Sequence, residues 1–235
     1  MEFSTLINGS NIFDFIRGPL VWISFIVFFL GIIYQVFSFL SLTTKKESVF
    51  YNPRPRKKIE PARFNLETIL HGLAKIRLSV VGVNPVMIIV TTVFHVCLVV
   101  APLFLIAHNV LLDQYIGVSF FSFSEKVTDY MTIALMACIA FFLYRRLFVA
   151  RVRAITSFYD YVMLFLAAAP FVTGFLAYHQ IMIDHYRLII SLHILSGELM
   201  LMAVPFTKFV HMVFFFIFRF TVESEYSIGS VDRSW

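Results

Sequence analysis

The chain has 235 residues, of which 60% are hydrophobic and 14% charged; a soluble domain carries nearer to about a quarter charged residues, so an ordinary water-soluble fold is excluded. The net charge of +5 needs no nucleic acid to explain it, because it follows from where the Lys and Arg fall around membrane spans. A β-barrel is excluded as well, since barrel strands read as short alternating segments and the apolar runs here are long and continuous.

Taken in chain order, runs long enough to cross about 30 Å of hydrocarbon as helix are predicted at 19–42, 84–111, 132–148, 158–178 and 188–218. The first, GPLVWISFIVFFLGIIYQVFSFL, follows no basic cluster and ends in no small-residue cleavage motif, so it reads as a retained helix and not as a signal peptide. Between the first two spans, FNLETILHGLAKIRLSVVG carries apolar residues at helical spacing interleaved with Lys75 and Arg77, which suits an amphipathic helix on the membrane surface or a docking face for a partner. The segment from Gln114 to Asp129 reads as an ordered loop, and the tail TVESEYSIGSVDRSW as polar and extended. No internal repeat and no second domain are visible. The expected fold is all-α, a single bundle of five transmembrane helices.

Lys and Arg set the orientation. Nine lie in the segment 43–82, four in YRRLFVARVRA, and Lys208, Arg219 and Arg233 at or beyond the last span; only Arg17, Lys126 and Arg187 lie on the opposite side. The basic side is predicted to be cytoplasmic, with the N-terminus outside and the C-terminus inside.

Cys97 and Cys138 each sit within a span, so the chain supplies no CxxC pair, zinc ribbon or iron–sulfur cluster. It has no Walker loop, GxGxxG, HExxH or GxSxG either. What remains is histidine, seven in all. A lone histidine is commonly an interfacial or hydrogen-bonded residue, yet an ionisable group inside a span carries a solvation cost that marks function. His193 and His211 are 18 residues apart, which in a straight helix puts them on one face about 27 Å apart. One metal ion cannot use both, so two separate centres are expected, one near each membrane surface.

The second span runs antiparallel to the fifth and holds His95 and His108. Pairing by depth sets His95 with His211 on the inner side and His108 with His193 on the outer side. Bis-histidine ligation between helices suits haem b without covalent attachment. Gly197, one turn after His193, leaves room for a porphyrin against the backbone or for close helix packing. Pro205 bends the fifth helix between its two histidines. Arg145, Arg146 and Lys208 lie where inner propionates would emerge, and positive-inside anchoring accounts for them equally well.

His193, Gly197, Pro205, Phe206, Thr207, Lys208, Val210 and His211 follow a pattern H-x3-G-x7-P-F-[ST]-[KR]-x-V-H that closely resembles the last helix of the respiratory nitrate reductase gamma subunit family, five-helix dihaem cytochromes b. FHVCLVV with a later AHN is similar to that family's other ligand helix. GPLVW, VTDYMT, RR and PFVTGFLAYH extend the resemblance over most of the chain, which looks most like the membrane cytochrome b subunits of the Dsr, Hmc and Tmc redox complexes of sulfate-metabolising bacteria.

The resemblance implies two haems b, exchange with a menaquinone-type quinone, a cytoplasmic iron–sulfur subunit, a periplasmic multihaem cytochrome c and placement in the bacterial inner membrane. It carries the ligand role to His95, His193 and His211. The outer ligand opposite His193 is His108 or His179: His95 and His108 are 13 residues apart, about 19.5 Å and roughly 140° off a common face in a straight helix, a mismatch that Pro102 relieves if it bends or rewinds the helix. His71 and His185 read as solvated. Glu198, Asp129 and Lys126 are candidates for a quinone or proton site; helix capping or salt bridging explains Asp113, Lys126 and Asp129 equally, whereas a carboxylate at Glu198 needs a partner or a proton. The expected activity is electron transfer within an oxidoreductase complex. A haem-free anchor of such a complex and a small transporter are the alternatives.

Overall fold

The structure is a computed structural model that describes residues 9–43 and 84–215. The predicted surface helix at 64–82, His71 and the polar tail lie outside the described residues. Every regular element among the described residues is helical. Among the described residues, five helices are long and apolar enough to cross a membrane: Ile12–Leu42, Pro85–Phe104, Glu125–Phe148, Phe158–Tyr178 and Ile183–Phe206. The fold is therefore all-α with five spans, and the chain is a multi-pass membrane protein. Large apolar side chains such as Phe29, Phe37, Phe165 and Phe215 stand exposed along these helices, as expected when the surrounding solvent is hydrocarbon.

The chain forms two compact units, Met1–Glu47 with Phe165–Trp235, and Ser48–Leu164. In the first unit, α1 (Gly9–Phe15) passes through a π-helical turn at Ile16–Leu20 into α2 (Val21–Thr43). Pro19 sits in that turn; it has no N–H, and a wider turn absorbs the missing bond. The last span begins with a short 3-10 turn, Ile183–His185, and continues as α8 (Tyr186–Ala203). Arg187 lies over the Phe13 ring at 5.1 Å, Gln35 donates to the Pro205 carbonyl at 2.8 Å, and Phe39 meets Phe214 at 5.5 Å. Residue numbers rise together along both partners, so α2 and the last span run parallel. They pack tightly at Gly31, where a Cβ would come within 2.6 Å of the Pro205 ring.

The second unit holds α3 (Pro85–Phe104), α4 (Ile106–Ile116), α5 (Glu125–Phe148) and the short α6 (Ala150–Arg153). The fourth span, α7 (Phe158–Tyr178), begins in this unit and continues into the first. Phe94 of α3 packs edge-on against Phe142 of α5 at 5.3 Å. Cys97, Leu98, Ala101, Leu135 and Cys138 are buried, and both cysteines are free thiols.

The first span starts at Ile12 and not at 19, and the last at Ile183 and not at 188; three further boundaries change. The third span starts at Glu125, before the apolar run at 132, because Ser124 stands at the cap position in extended conformation, its carbonyl takes the N–H groups of Val127 and Thr128, and an acid occupies the first turn, where it meets the positive end of the helix dipole. The run predicted as one helix over 84–111 is two, separated at Leu105 (φ −73°, ψ 130°). The run predicted over 188–218 is also interrupted: α8 tightens into 3-10 geometry at Val204–Phe206, Thr207 is extended (φ −124°, ψ −174°), and a second 3-10 turn follows at Lys208–Val210.

Candidate functional site

Both breaks fall between the two histidines of their span, and each follows a proline. Pro102 cannot donate to the carbonyl four residues back, and α3 ends two residues later. A helix end inside a membrane leaves carbonyls that no water can satisfy. Here each is met. The Pro102 carbonyl takes Nδ1–H of His108 at 2.9 Å, the Leu103 carbonyl takes Nδ2–H of Asn109 at 3.1 Å, and the Phe104 carbonyl takes the Phe123 N–H at 3.0 Å. Asn109, which is 3% exposed, also donates to Ser122 Oγ and accepts from the Phe120 N–H through Oδ1. The loop after α4 turns at Gly117 in the left-handed region (φ 72°), and its return is pinned to the break through Asn109 and Phe123.

At the second break, Thr207 Oγ1 accepts from the Phe209 N–H at 3.3 Å. That removes the donor a continuing helix would have offered to the Pro205 carbonyl, and Gln35 of α2 supplies one instead. Because the segment is interrupted here, His193 and His211 do not share one straight helix, and the expected five-turn spacing on a single face does not apply. The same holds for His95 and His108: the break at Leu105 supersedes the straight-helix angle between them.

The four span histidines share one local geometry. Nδ1 lies on a main-chain carbonyl in each: His95 on Thr91 at 2.7 Å, His108 on Pro102 at 2.9 Å, His193 on Pro170 at 2.9 Å and His211 on Lys208 at 2.6 Å. A carbonyl only accepts, so Nδ1 must be the protonated nitrogen and Nε2 carries the lone pair. His95, His108 and His193 are partly buried and His211 is exposed.

His193 has the most specific seat. A Cβ on Gly174 would lie 2.8 Å from its Cε1 and 3.0 Å from its Nδ1. The bare backbone at Gly174 thus lets the imidazole lie along α7 and reach the carbonyl of Pro170 one turn away. Thr173 and Ser196 hydroxyls meet beside it at 3.4 Å. Pro170 and Gly174 both lie in the motif PFVTGFLAYH, and their spacing of four is the sequence signal for this seat. A Cβ on Gly197 would meet nothing within 4 Å.

His179 is exposed and lies with its ring 4.2 Å from that of Phe175; His185 is exposed in the turn before α8. Glu198 is 5% exposed, and neither carboxylate oxygen has a hydrogen-bond partner. Asp129 is half-buried near the start of α5, beside an exposed Lys126, and Asp113 is exposed in α4, where its main-chain carbonyl takes the Gly117 N–H. Lys208 is exposed on the 3-10 turn after the second break. Arg145 and Arg146 lie in the last turn of α5. Among the described residues, no group of three or more His, Cys, Asp or Glu side chains gathers around one point.

No family model matches the chain, and no solved structure matches it. Over 217 residues, 92% of this chain and 94% of the relative, it is 32% identical to a protein of Nitratidesulfovibrio vulgaris whose name states no activity. The match covers nearly the whole of both chains, and this chain belongs to the same family as that Nitratidesulfovibrio vulgaris protein.

Proposed function

We propose that this protein is the membrane cytochrome b subunit of a respiratory redox complex in the bacterial inner membrane, passing electrons between the two membrane faces through two bis-histidine haems b. The observation that carries the reading is the common tautomer of the four span histidines. Metal-ligating imidazoles characteristically donate their other ring N–H to a carbonyl or carboxylate, which fixes ring orientation and raises ligand basicity, and His95, His108, His193 and His211 each do so. The donor set fits the group: neutral imidazoles with Nε2 as the ligating atom, and an uncrowded backbone at Gly197 beside His193.

In this reading His95 and His211 hold the inner haem and His108 and His193 the outer one, with the N-terminus outside. A bis-histidine haem b supplies one-electron exchange and has no open iron position for oxygen or substrate. The chain's part is to hold the imidazoles in register, exclude water, and bring a proton to a reducible quinone. Glu198, Asp129 and Lys126 are the candidates for that proton, with a menaquinone-type quinone as the exchange partner. A cytoplasmic iron–sulfur subunit and a periplasmic multihaem cytochrome c complete the electron path. A relative in Nitratidesulfovibrio vulgaris is in keeping with the resemblance to membrane subunits of sulfate-metabolising bacteria.

A reduced-minus-oxidised absorption spectrum of the purified protein tests this. The expected result is a b-type band with two haems per chain; a chain purified from haem-sufficient cells with no such band contradicts it. His108→Ala is expected to remove one haem and His179→Ala none, and the reverse result moves the outer ligand to His179.

A further inference from the structure

In the second unit, a cavity of about 230 Å³ is lined by Met87, Phe142, Arg145, Arg146, Val152, Ile155, Thr156 and Asp160. It lies where three membrane spans end together: Met87 is in the first turn of α3, Arg145 and Arg146 in the last turn of α5, and Asp160 in the first turn of α7, with Val152, Ile155 and Thr156 from the short connection between α5 and α7. We propose that this cavity seats the phosphodiester headgroup of an anionic membrane lipid. The proposal depends on the five spans alone and not on the haem reading.

Charge and shape argue for it. Arg145 places a guanidinium nitrogen on Met87 Sδ and its carbon 5.9 Å from the Phe141 ring centroid, and neither contact is with a carboxylate among the described residues. Arg146 adds a second cation, and its planar fork suits phosphate oxygens. Asp160 also lines the cavity, and its Oδ2 accepts the N–H and the Oγ–H of Ser157, each at 2.9 Å, so the described lining sets two cations against one acid. The Thr156 hydroxyl donates to the Val152 carbonyl at 2.8 Å, so among the described lining residues the two guanidiniums are the cationic donors. Both stand at a helix C-terminus, where cations are favoured.

The remaining wall is apolar. Met87, Phe142, Val152 and Ile155 would repel a bare hydrated phosphate but accept the glycerol and first methylenes of a lipid. Ile155, 83% exposed, and Phe158, 82% exposed, continue that apolar surface outward. The volume is roughly seven times the ~30 Å³ share of one liquid water, enough for a headgroup and not for a whole lipid. Basic pockets at span ends are recurrent seats for anionic headgroups. The rival anion is a porphyrin carboxylate: His95 is eight residues along α3 from Met87, about 12 Å.

Native mass spectrometry of the full chain in detergent, with added phosphatidylglycerol or with phosphatidylcholine of the same acyl chains, distinguishes these. Wild type is expected to retain phosphatidylglycerol preferentially. Arg145→Gln/Arg146→Gln is expected to lower that retention roughly tenfold or more, whereas Arg151→Gln/Arg153→Gln, on exposed residues outside the lining, keeps it. Ile155→Trp fills the cavity while leaving both arginines in place and is expected to lower retention as well, which guards against a folding defect in the double variant. Equal retention in the double variant or in Ile155→Trp overturns the proposal. So does equal retention of phosphatidylcholine, displacement by millimolar inorganic phosphate alone, or loss of haem from the double variant without any phosphatidylglycerol preference in wild type.

Discussion

The two histidine-bearing spans break in the same way and are repaired in different ways. In the second span the carbonyls freed after Pro102 are met by His108 and Asn109, within six residues, and by Phe123 of the following loop. In the fifth span the Pro205 carbonyl is met by Gln35, 170 residues away in sequence. Local repair makes a rigid knuckle that travels with its own helix. Distant repair makes the break at Thr207 depend on how α2 and the last span pack, and Gly31 allows the approach that brings Gln35 into reach. One consequence follows for the histidines: His108 is itself part of its repair, whereas His211 lies after a turn capped by Thr207.

Substitutions separate the two kinds of repair. The largest effect is expected from Asn109→Leu, which removes all four hydrogen bonds of a side chain 3% exposed; at about 1 kcal/mol net for each hydrogen bond, thermal unfolding in detergent should show a loss of several kcal/mol. An unchanged melting temperature would mean that the loop after α4 does not hold the break. Gln35→Leu orphans one carbonyl, for about 1–3 kcal/mol, and its loss should be smaller than that of Asn109→Leu; if it is larger, distant repair is the more costly to lose and the comparison reverses. The smallest stability effect is expected at Gly197→Ala. A Cβ there meets nothing within 4 Å, so the haem-free chain should keep its stability or gain up to about 1 kcal/mol of helix propensity. On the proposed haem reading its midpoint potential is nonetheless expected to move, and an unmoved potential would detach Gly197 from the proposed site.

Much of the fold can be read directly from the chain. Five apolar runs became five spans because length and hydrophobicity are enough to decide what crosses hydrocarbon. The fourth run, 158–178, matches α7 at both ends, since Asp160 and the polar residues around it interrupt the apolar pattern where the helix itself starts. The third start was misplaced by seven residues because a cap at Ser124, and not hydrophobicity, begins the helix. Pro102 and Pro205 announced a disturbance in each histidine span, but a bend and a break have the same sequence signature. What separates them is whether donors exist for the freed carbonyls. Asn109 lies close enough to Pro102 to be noticed; Gln35 cannot be matched to Pro205 without the packing of α2. Gly174 was hidden for the same reason, its purpose being set by an imidazole from another helix.

The central claim is that the four Nδ1-donating histidines are iron ligands, and electron paramagnetic resonance of the oxidised, purified protein tests it most directly. Two low-spin ferric signals of bis-histidine type are expected, with His95→Ala and His211→Ala each abolishing the same signal and His108→Ala and His193→Ala each abolishing the other. High-spin ferric iron in the wild type, or low-spin signals that survive all four substitutions, would contradict it.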